Sequence, residues 1–296
     1  MLEDRLTEEI KNIRVWQRGD ERAPHKPLLL LYTLGRVSRG ESRLVPYSEA
    51  GEILRGLLNE FGPHRKVHYP SYPFVKLCND GGFWELDGRY TLNTLKDWSD
   101  RELIDNETTG GFTEEVYTLL RSNRELLNDL GRFILDRYFP DTLHQDILAQ
   151  IGLELESDVR LVRSPDFRDR VLRAYEYQCA VCGFNVRLGD TLVAVEAAHI
   201  KWHCYGGPDQ EENGIALCSL HHKLFDRGAF TLNSSHILRV AENAHGTCGF
   251  DEWLMRYHNQ PLRRPQRPDY YPNDRFINWH VREVFRGPSR YTAGRD

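Results

Sequence analysis

No stretch of this chain comes near the ~18 consecutive apolar residues that a membrane-spanning helix needs. The richest run is Leu28–Leu31, soon interrupted by Thr33 and Gly35. The start, Met1-Leu2-Glu3-Asp4, is acidic where a secretory leader is basic and then apolar. Cysteine is sparse, six in 296 residues, which excludes a disulfide scaffold. Internal repeats and low-complexity segments are also lacking. These absences remove the membrane, fibrous and disulfide-stapled classes and predict a soluble, cytoplasmic protein.

The remaining composition is that of a globular protein: 40% hydrophobic and 28% charged residues, enough for a core in each of two domains. The net charge of −5 argues on its face against a nucleic-acid partner, but it is unevenly spread. Residues 1–159 carry 20 Lys/Arg against 28 Asp/Glu, a balance of −8; residues 160–296 carry 19 against 16, a balance of +3. From Arg256 onward nine Arg face four acids. The asymmetry keeps DNA open as a partner.

Apolar spacing predicts an amphipathic helix over 3–17 (Leu6, Ile10, Ile13, Trp16), a second from Pro27 to about Val37, and a third over about 48–61. After a Pro/Tyr/His-rich loop, 62–73, the segments Phe74–Leu77 and Phe83–Leu86 flank Cys78-Asn79-Asp80-Gly81-Gly82 and read as a β-hairpin. Two more helices are expected at about 113–120 and 122–139. The acidic segment 142–161 is either a packed helix or a linker. Ser164-Pro165 marks a helix start, with Ser as N-cap and Pro at the first helical position. The domain boundary is expected near 155–163, giving domains 1–158 and 159–296. The fold class is α+β: a mainly helical first domain with a small β element, then a second domain organised around metal-ligand motifs.

Cys179-Ala-Val-Cys182 and Cys218-Ser-Leu-His221 have the spacing of zinc half-sites. The gap of 35 residues between them is more than a simple finger needs, and it holds an apolar strand at 192–195, then Glu196-Ala-Ala-His199-Ile, and later Asn213-Gly-Ile-Ala-Leu-Cys218. A short helix follows with His221, His222 and Asp226. Cys78, Cys204 and Cys248 have no partner at short spacing and read as packed or surface thiols. Beyond Gly228 a second hairpin is expected at 230–232 and 237–240. The tail interleaves arginines with Tyr270, Tyr271, Phe276, Trp279 and Phe285. It reads as a helix packed through its aromatics with some arginines toward phosphate.

The order His199, Asn213, His222 with these flanking residues closely resembles the HNH nuclease family, whose core is a ββα-metal unit. The resemblance implies that His199 is the general base, that Asn213 fixes the loop and holds His199 in line, and that His222 binds a catalytic divalent ion, Mg²⁺ or Mn²⁺ or another. A neutral imidazole with a pKa near ~6.5 suits a base at physiological pH. Cys179, Cys182, Cys218 and His221 would hold a structural Zn²⁺, although His222, at i+4 from Cys218, also faces that way. Many family members have an acidic ligand directly before the base; here Ala198 stands there, leaving Glu196 or Asp226 as substitutes.

The first half is similar to the sulfur-binding domain of type IV, McrA-like restriction endonucleases. The residues that carry the likeness are Arg22-Ala-Pro-His25-Lys26-Pro-Leu-Leu-Leu-Leu31, Tyr72-Pro73-Phe-Val-Lys76-Leu77 and Gly81-Gly-Phe-Trp-Glu-Leu86. The resemblance implies recognition of double-stranded DNA bearing a backbone phosphorothioate, with Tyr72 and Pro73 lining the sulfur pocket. Replacing a non-bridging oxygen by sulfur keeps the charge but makes the position larger, softer and less hydrated. An apolar wall can then select sulfur while donors hold the remaining oxygen. His25 and Lys26, at a helix start, suit the phosphate; Lys76 stands where some relatives carry a small or different residue. The expected activity is restriction-type cleavage of phosphorothioated DNA. One active site cuts one strand, so a double-strand cut implies a homodimer or two binding events. The rival readings are an HNH nuclease specific for another modification or a plain sequence, and a non-catalytic zinc-containing DNA-binding protein.

Overall fold

The computed structural model describes residues 1–16, 18–88, 99–155 and 165–290. The chain divides into two compact units, Met1–Asp158 and Val159–Asp296. Among the described residues no helix is long and apolar enough to cross a membrane.

Unit 1 runs α1 (Leu2–Lys11), α2 (His25–Ser38), β1 (Leu44–Pro46), α3 (Tyr47–Phe61), α4 (Ser71–Lys76), β2 (Trp84–Asp87), α5 (Asp100–Asp105), β3 (Thr109–Phe112), α6 (Glu114–Ser122), α7 (Arg124–Tyr138) and α8 (Asp141–Ile151). Helix α2 is its axis. Every residue from Pro27 to Val37 is buried, as expected of a helix that is apolar on all sides. It packs against α3, α4, α6, α7 and α8. Its first residue is His25 rather than Pro27; Pro27 still falls in the first turn, where a missing N–H costs no helical bond.

Three expectations for this unit are corrected. Helix α1 stops at Lys11, because Asn12 turns its Nδ2 onto the Glu8 carbonyl (2.8 Å). Ile13 is still buried, but Trp16 lies outside any helix and is 59% exposed. Residues 74–77 are not a strand. Ser71–Lys76 is helical and Leu77–Asn79 a 3₁₀ turn, so Phe74, Val75 and Leu77 are a buried helical run that a strand-like reading cannot distinguish. β2 pairs instead with β3, Trp84 opposite Phe112 and Asp87 opposite Thr109, while β1 pairs with the other edge of β3. The middle strand carries Gly110 and Gly111, residues poor in strand propensity. A Cβ on Gly111 would lie 2.2 Å from the Arg43 carbonyl oxygen, so the close approach of β1 requires glycine there. Of the segment 142–161, the described part is a packed helix to Ile151, ended by Gly152 in the left-handed region (φ 63°), and residues 156–161 lie outside the described residues. The Ser164 cap lies outside the described residues.

Unit 2 runs α9 (Pro165–Ala174), β4 (Arg187–Leu188), β5 (Thr191–Leu192), β6 (Val195–His199), β7 (Gly214–Cys218), α10 (Ser219–Asp226), β8 (Phe230–Leu232), β9 (Leu238–Val240), α11 (Phe250–Trp253) and α12 (Asp274–Glu283). The strand expected at 192–195 is broken by Ala194, whose φ is +55°, so β5 pairs with β4 and β6 starts afresh. β6 and β7 pair antiparallel, Val195 opposite Cys218 and His199 opposite Gly214, and α10 leaves directly from β7. This is a ββα unit, roofed by Phe167, Val171 and Leu172 of α9. β8 and β9 form the second hairpin, closed by Asn233 Oδ1, which accepts from the Ser235 and Ile237 amides (3.0 and 2.9 Å).

The tail helix α12 buries Phe276, Ile277 and Trp279. Several arginines of the tail are engaged within the unit: Arg275 and Arg282 of α12 with Glu212 and Glu283, and Arg290 beyond it with the Ala244 carbonyl.

The contact between α9 and the ladder is tight at one point. A Cβ on Gly214 would lie 2.3 Å from Val171 Cγ2 and 3.2 Å from Phe167 Cζ. Gly214→Ala is therefore expected to destabilise unit 2 by about 1–3 kcal/mol through overpacking. Urea unfolding followed by tryptophan fluorescence checks it; an unchanged midpoint would show that α9 lifts without cost.

Candidate functional site

At one end of the β6–β7 ladder, Cys179, Cys182, Cys218 and His221 bring their ligand atoms within 4.8 Å of one another. The first pair lies in a knuckle: the Cys179 amide donates to the Phe184 carbonyl (2.9 Å), and Gly183, at φ +76°, turns its amide back to the Cys179 carbonyl (2.8 Å). Cys218 is the last residue of β7 and His221 lies in the first turn of α10. His221 presents Nδ1 to the sulfurs of Cys218 (3.1 Å) and Cys179 (3.6 Å), and its Nε2 donates to the Trp253 carbonyl (2.7 Å). That outer bond fixes the tautomer a metal-bound imidazole needs. Hydrogen bonds from the Cys182 and Cys218 thiols, working against burial, pull the Cys179 pKa far below that of an ordinary thiol. A buried Cys₃His set with this second shell fits zinc.

At the other end of the ladder is His199, 6% exposed, with its ring stacked on Phe167 (centroids 4.0 Å apart, 15° between planes). Its Nε2 donates to Asp209 Oδ1 (2.8 Å). Asn213 is fully buried and spans the loop between the strands. Its Oδ1 accepts from the Lys201 amide (2.9 Å), and its Nδ2 donates to the carbonyls of Lys201 and Pro208 (both 3.0 Å). His222 lies on α10, one residue past the zinc-type ligand His221 and facing away from it. Its Nδ1 donates to Glu196 Oε2 (2.7 Å) and its Nε2 lies 3.2 Å from Asp226 Oδ2. Asp226 is buried, and its Oδ1 accepts from Trp202 Nε1 (2.8 Å); Glu196 is half-exposed and accepts from Ser219 Oγ (2.7 Å). Burial opposes a charge on His222, but Asp226 and Glu196 outweigh it and hold its pKa up to about 9. A place that stabilises an imidazolium so strongly has the negative field that a divalent cation needs. The structure thus brings His199, Asn213 and His222 to one ladder and its helix, and puts both candidate acids beside His222. Sequence reasoning missed Asp209; an acid in the loop between His199 and Asn213 was its only signal.

Unit 1 holds a pocket of about 1050 Å³ whose wall includes all five residues singled out there: His25, Lys26, Tyr72, Pro73 and Lys76. Trp16, Tyr69 and His68 join them. Tyr69 and Tyr72 meet edge to face (5.8 Å) and are each about half exposed, so the rim is aromatic. Lys26 differs from the expectation of a phosphate-facing cation. Its Nζ is paired with Asp80, whose side chain is 1% exposed, and also donates to the Arg14 carbonyl (2.8 Å). Asp80 lies in the Asn79-Asp80-Gly81 segment and additionally binds Arg14 (3.2 Å).

His25 is not a cation at neutral pH. Burial, with His68 and then Arg65 beside it, brings its pKa down to about 4. An unfolded His takes up its proton near pH ~6.5. The stability contributed by the neutral ring is therefore complete above that pH and is lost as pH falls toward 4. Ring-proton NMR should show His25 titrating near 4; a midpoint near the ~6.5 of a free imidazole would contradict this burial.

Residues 3–156 match the family described as ScoMcrA-like, DNA sulfur-binding domain, and residues 179–233 match the HNH endonuclease family HNH_2. No curated protein matches the chain in sequence. Among solved structures it is similar to the sulfur binding domain of SprMcrA complexed with phosphorothioated DNA, with 22% identity over 51% of this chain and 94% of that one and a TM-score of 0.45. The corresponding ScoMcrA domain, also complexed with phosphorothioated DNA, shares 25% identity over 49% and 94% with a TM-score of 0.42. The modification-dependent restriction endonuclease TagI shares 24% over 45% and 41% with a TM-score of 0.30. With more than half its length in the first match and its cysteine–histidine ladder in the second, the chain belongs to the ScoMcrA-like DNA sulfur-binding domain family and carries an HNH endonuclease domain after it.

Proposed function

We propose that this protein is a modification-dependent restriction endonuclease that binds double-stranded DNA carrying a phosphorothioate and hydrolyses phosphodiester bonds nearby. The observation that carries the reading is the pocket of unit 1, where an apolar Tyr72–Pro73 wall stands beside His25 and Lys76 at the start and end of two helices. The wall suits a large, weakly hydrated sulfur. The N–H groups of His25 and its helix start suit the oxygen left on the same phosphorus.

In unit 2, His199 takes the proton of a water. The hydroxide forms a bond to phosphorus as the bond to the leaving oxygen breaks, and Asn213 keeps the loop around His199 closed. A divalent ion, Mg²⁺ or Mn²⁺, would be held by His222 with Glu196 and would supply charge stabilisation at the phosphate. Glu196 is preferred as the co-ligand because it is half-exposed on the Nδ1 side of the ring. Asp226 is buried and tied to Trp202, so it orients the ring from the Nε2 side. Zn²⁺ in the Cys₃His set staples the far end of the ladder. A single such centre cuts one strand, so we assign double-strand cleavage to a homodimer.

Matched duplexes with and without one phosphorothioate, incubated with Mg²⁺ or Mn²⁺, test the assignment: the modified duplex should be cut and its partner spared. Equal cutting would remove sulfur recognition and leave the nuclease. His199→Ala should lower cleavage by about 10²–10⁴-fold with binding retained, and unchanged cutting would exclude it as the base. Cys182→Ser should lose the bound zinc and lower the thermal midpoint of unit 2, as read by metal analysis and calorimetry. Full zinc content in that variant would place the ion elsewhere.

A further inference from the structure

We propose that Asp209 is the positioning residue for His199: it fixes the imidazole in the tautomer that carries a proton on Nε2, so that Nδ1 is the nitrogen that accepts the proton of water. The inference rests on the reading of His199 as general base. The two groups are bonded at 2.8 Å, Nε2 to Oδ1, and the ring cannot turn away because Phe167 stacks on its face. A carboxylate only accepts, so the bond requires the proton on Nε2.

The loop that delivers Asp209 is held without using its carboxylate. Asn213 Nδ2 holds the carbonyl of Pro208, the residue immediately before it. Arg170 Nη2 donates to the Asp209 carbonyl (2.6 Å), and Arg170 Nε pairs with Glu211 (3.2 Å). At the loop's entry the Gly207 amide donates to the Trp202 carbonyl (3.0 Å), and a Cβ on Gly207 would lie 1.8 Å from the Lys201 carbonyl oxygen. The main chain thus sets where the carboxylate stands, and the side chain of Asp209 is left to act on the ring. Asn213 acquires a defined task on this view: it holds the loop segment that carries the acid, beyond merely closing the loop.

The test uses the full chain and the variants D209N, D209A, D209E and H199A, with a duplex that the wild type cleaves. Single-turnover cleavage at saturating protein, Kd for the same duplex and the ring ¹⁵N shifts of His199 are measured. D209N should cleave about 10- to 100-fold more slowly with Kd unchanged, and its His199 signals should move from the Nε2–H form toward a mixture. D209E should recover part of the rate. D209A, which leaves the main-chain contacts in place, carries the same expectation if D209N does not fold. Wild-type cleavage by D209N or D209A would overturn the proposal, and so would a slow variant whose His199 shifts do not move. Wild-type cleavage by H199A would instead overturn the assignment of the base, a distinct failure. The ¹⁵N shifts report on Asp209 even if no cleavage is seen.

Discussion

The second unit depends on one register. Pairing Val195–His199 with Gly214–Cys218 puts Cys218 at one end of a five-residue ladder and His199 at the other. Four residue steps of ~3.4 Å separate the two ends. The zinc-type ligands and the proposed base are thus two ends of the same rigid object. A slip by one residue would turn His199 to the opposite face and take Cys218 out of its pairing with Val195. The Cys₃His set locks one end of this register and Asn213 the other, through three hydrogen bonds in a fully buried position. Removing any one of those bonds would leave buried polar groups unpaired, at about 1–3 kcal/mol each. The geometry around the proposed base is thus set by side chains at both ends of the ladder.

Much of this was legible because ligand spacing is a local property. Cys179-x-x-Cys182 and Cys218-x-x-His221 specify a knuckle and a helix turn within a few residues each, and the neighbouring positions 221 and 222 must face apart on α10. What escaped the sequence involves partners distant along the chain or residues with ambiguous patterns. Phe74–Leu77 is a short apolar run, buried in either a helix or a strand, and its flanking turn suggested a hairpin. The true partner of Trp84–Asp87 is Thr109-Gly-Gly-Phe112, whose glycines conceal it. Asp209 was overlooked because its value lies in a 2.8 Å bond made across a loop and has no fixed spacing. Likewise the sequence presents Lys26 as a phosphate cation, whereas in the fold its ammonium is paired with Asp80, 54 residues away.

That last pair changes the electrostatics of the proposed reader. A buried carboxylate under Lys26 cancels much of its positive field, and His25 is neutral at pH 7, so two of the residues that seemed cationic contribute little net charge to the pocket. Arg14, Arg22, Arg65 and Lys76 also line the pocket, so cations still outnumber Glu21 and Asp80 there despite the −8 balance of residues 1–159. At the Tyr72–Pro73 wall an ordinary phosphate is at a disadvantage, because its oxygen keeps its water more tightly than sulfur does. Desolvating a polar atom without a compensating hydrogen bond costs about 1–3 kcal/mol in proteins, and each ~1.4 kcal/mol is tenfold in affinity. Setting one oxygen against the Tyr72–Pro73 wall would therefore cost about five- to 150-fold relative to sulfur, without a single base contact. Coulomb attraction from cations in the pocket wall is the same for both anions, so it raises both affinities and leaves this ratio to the wall.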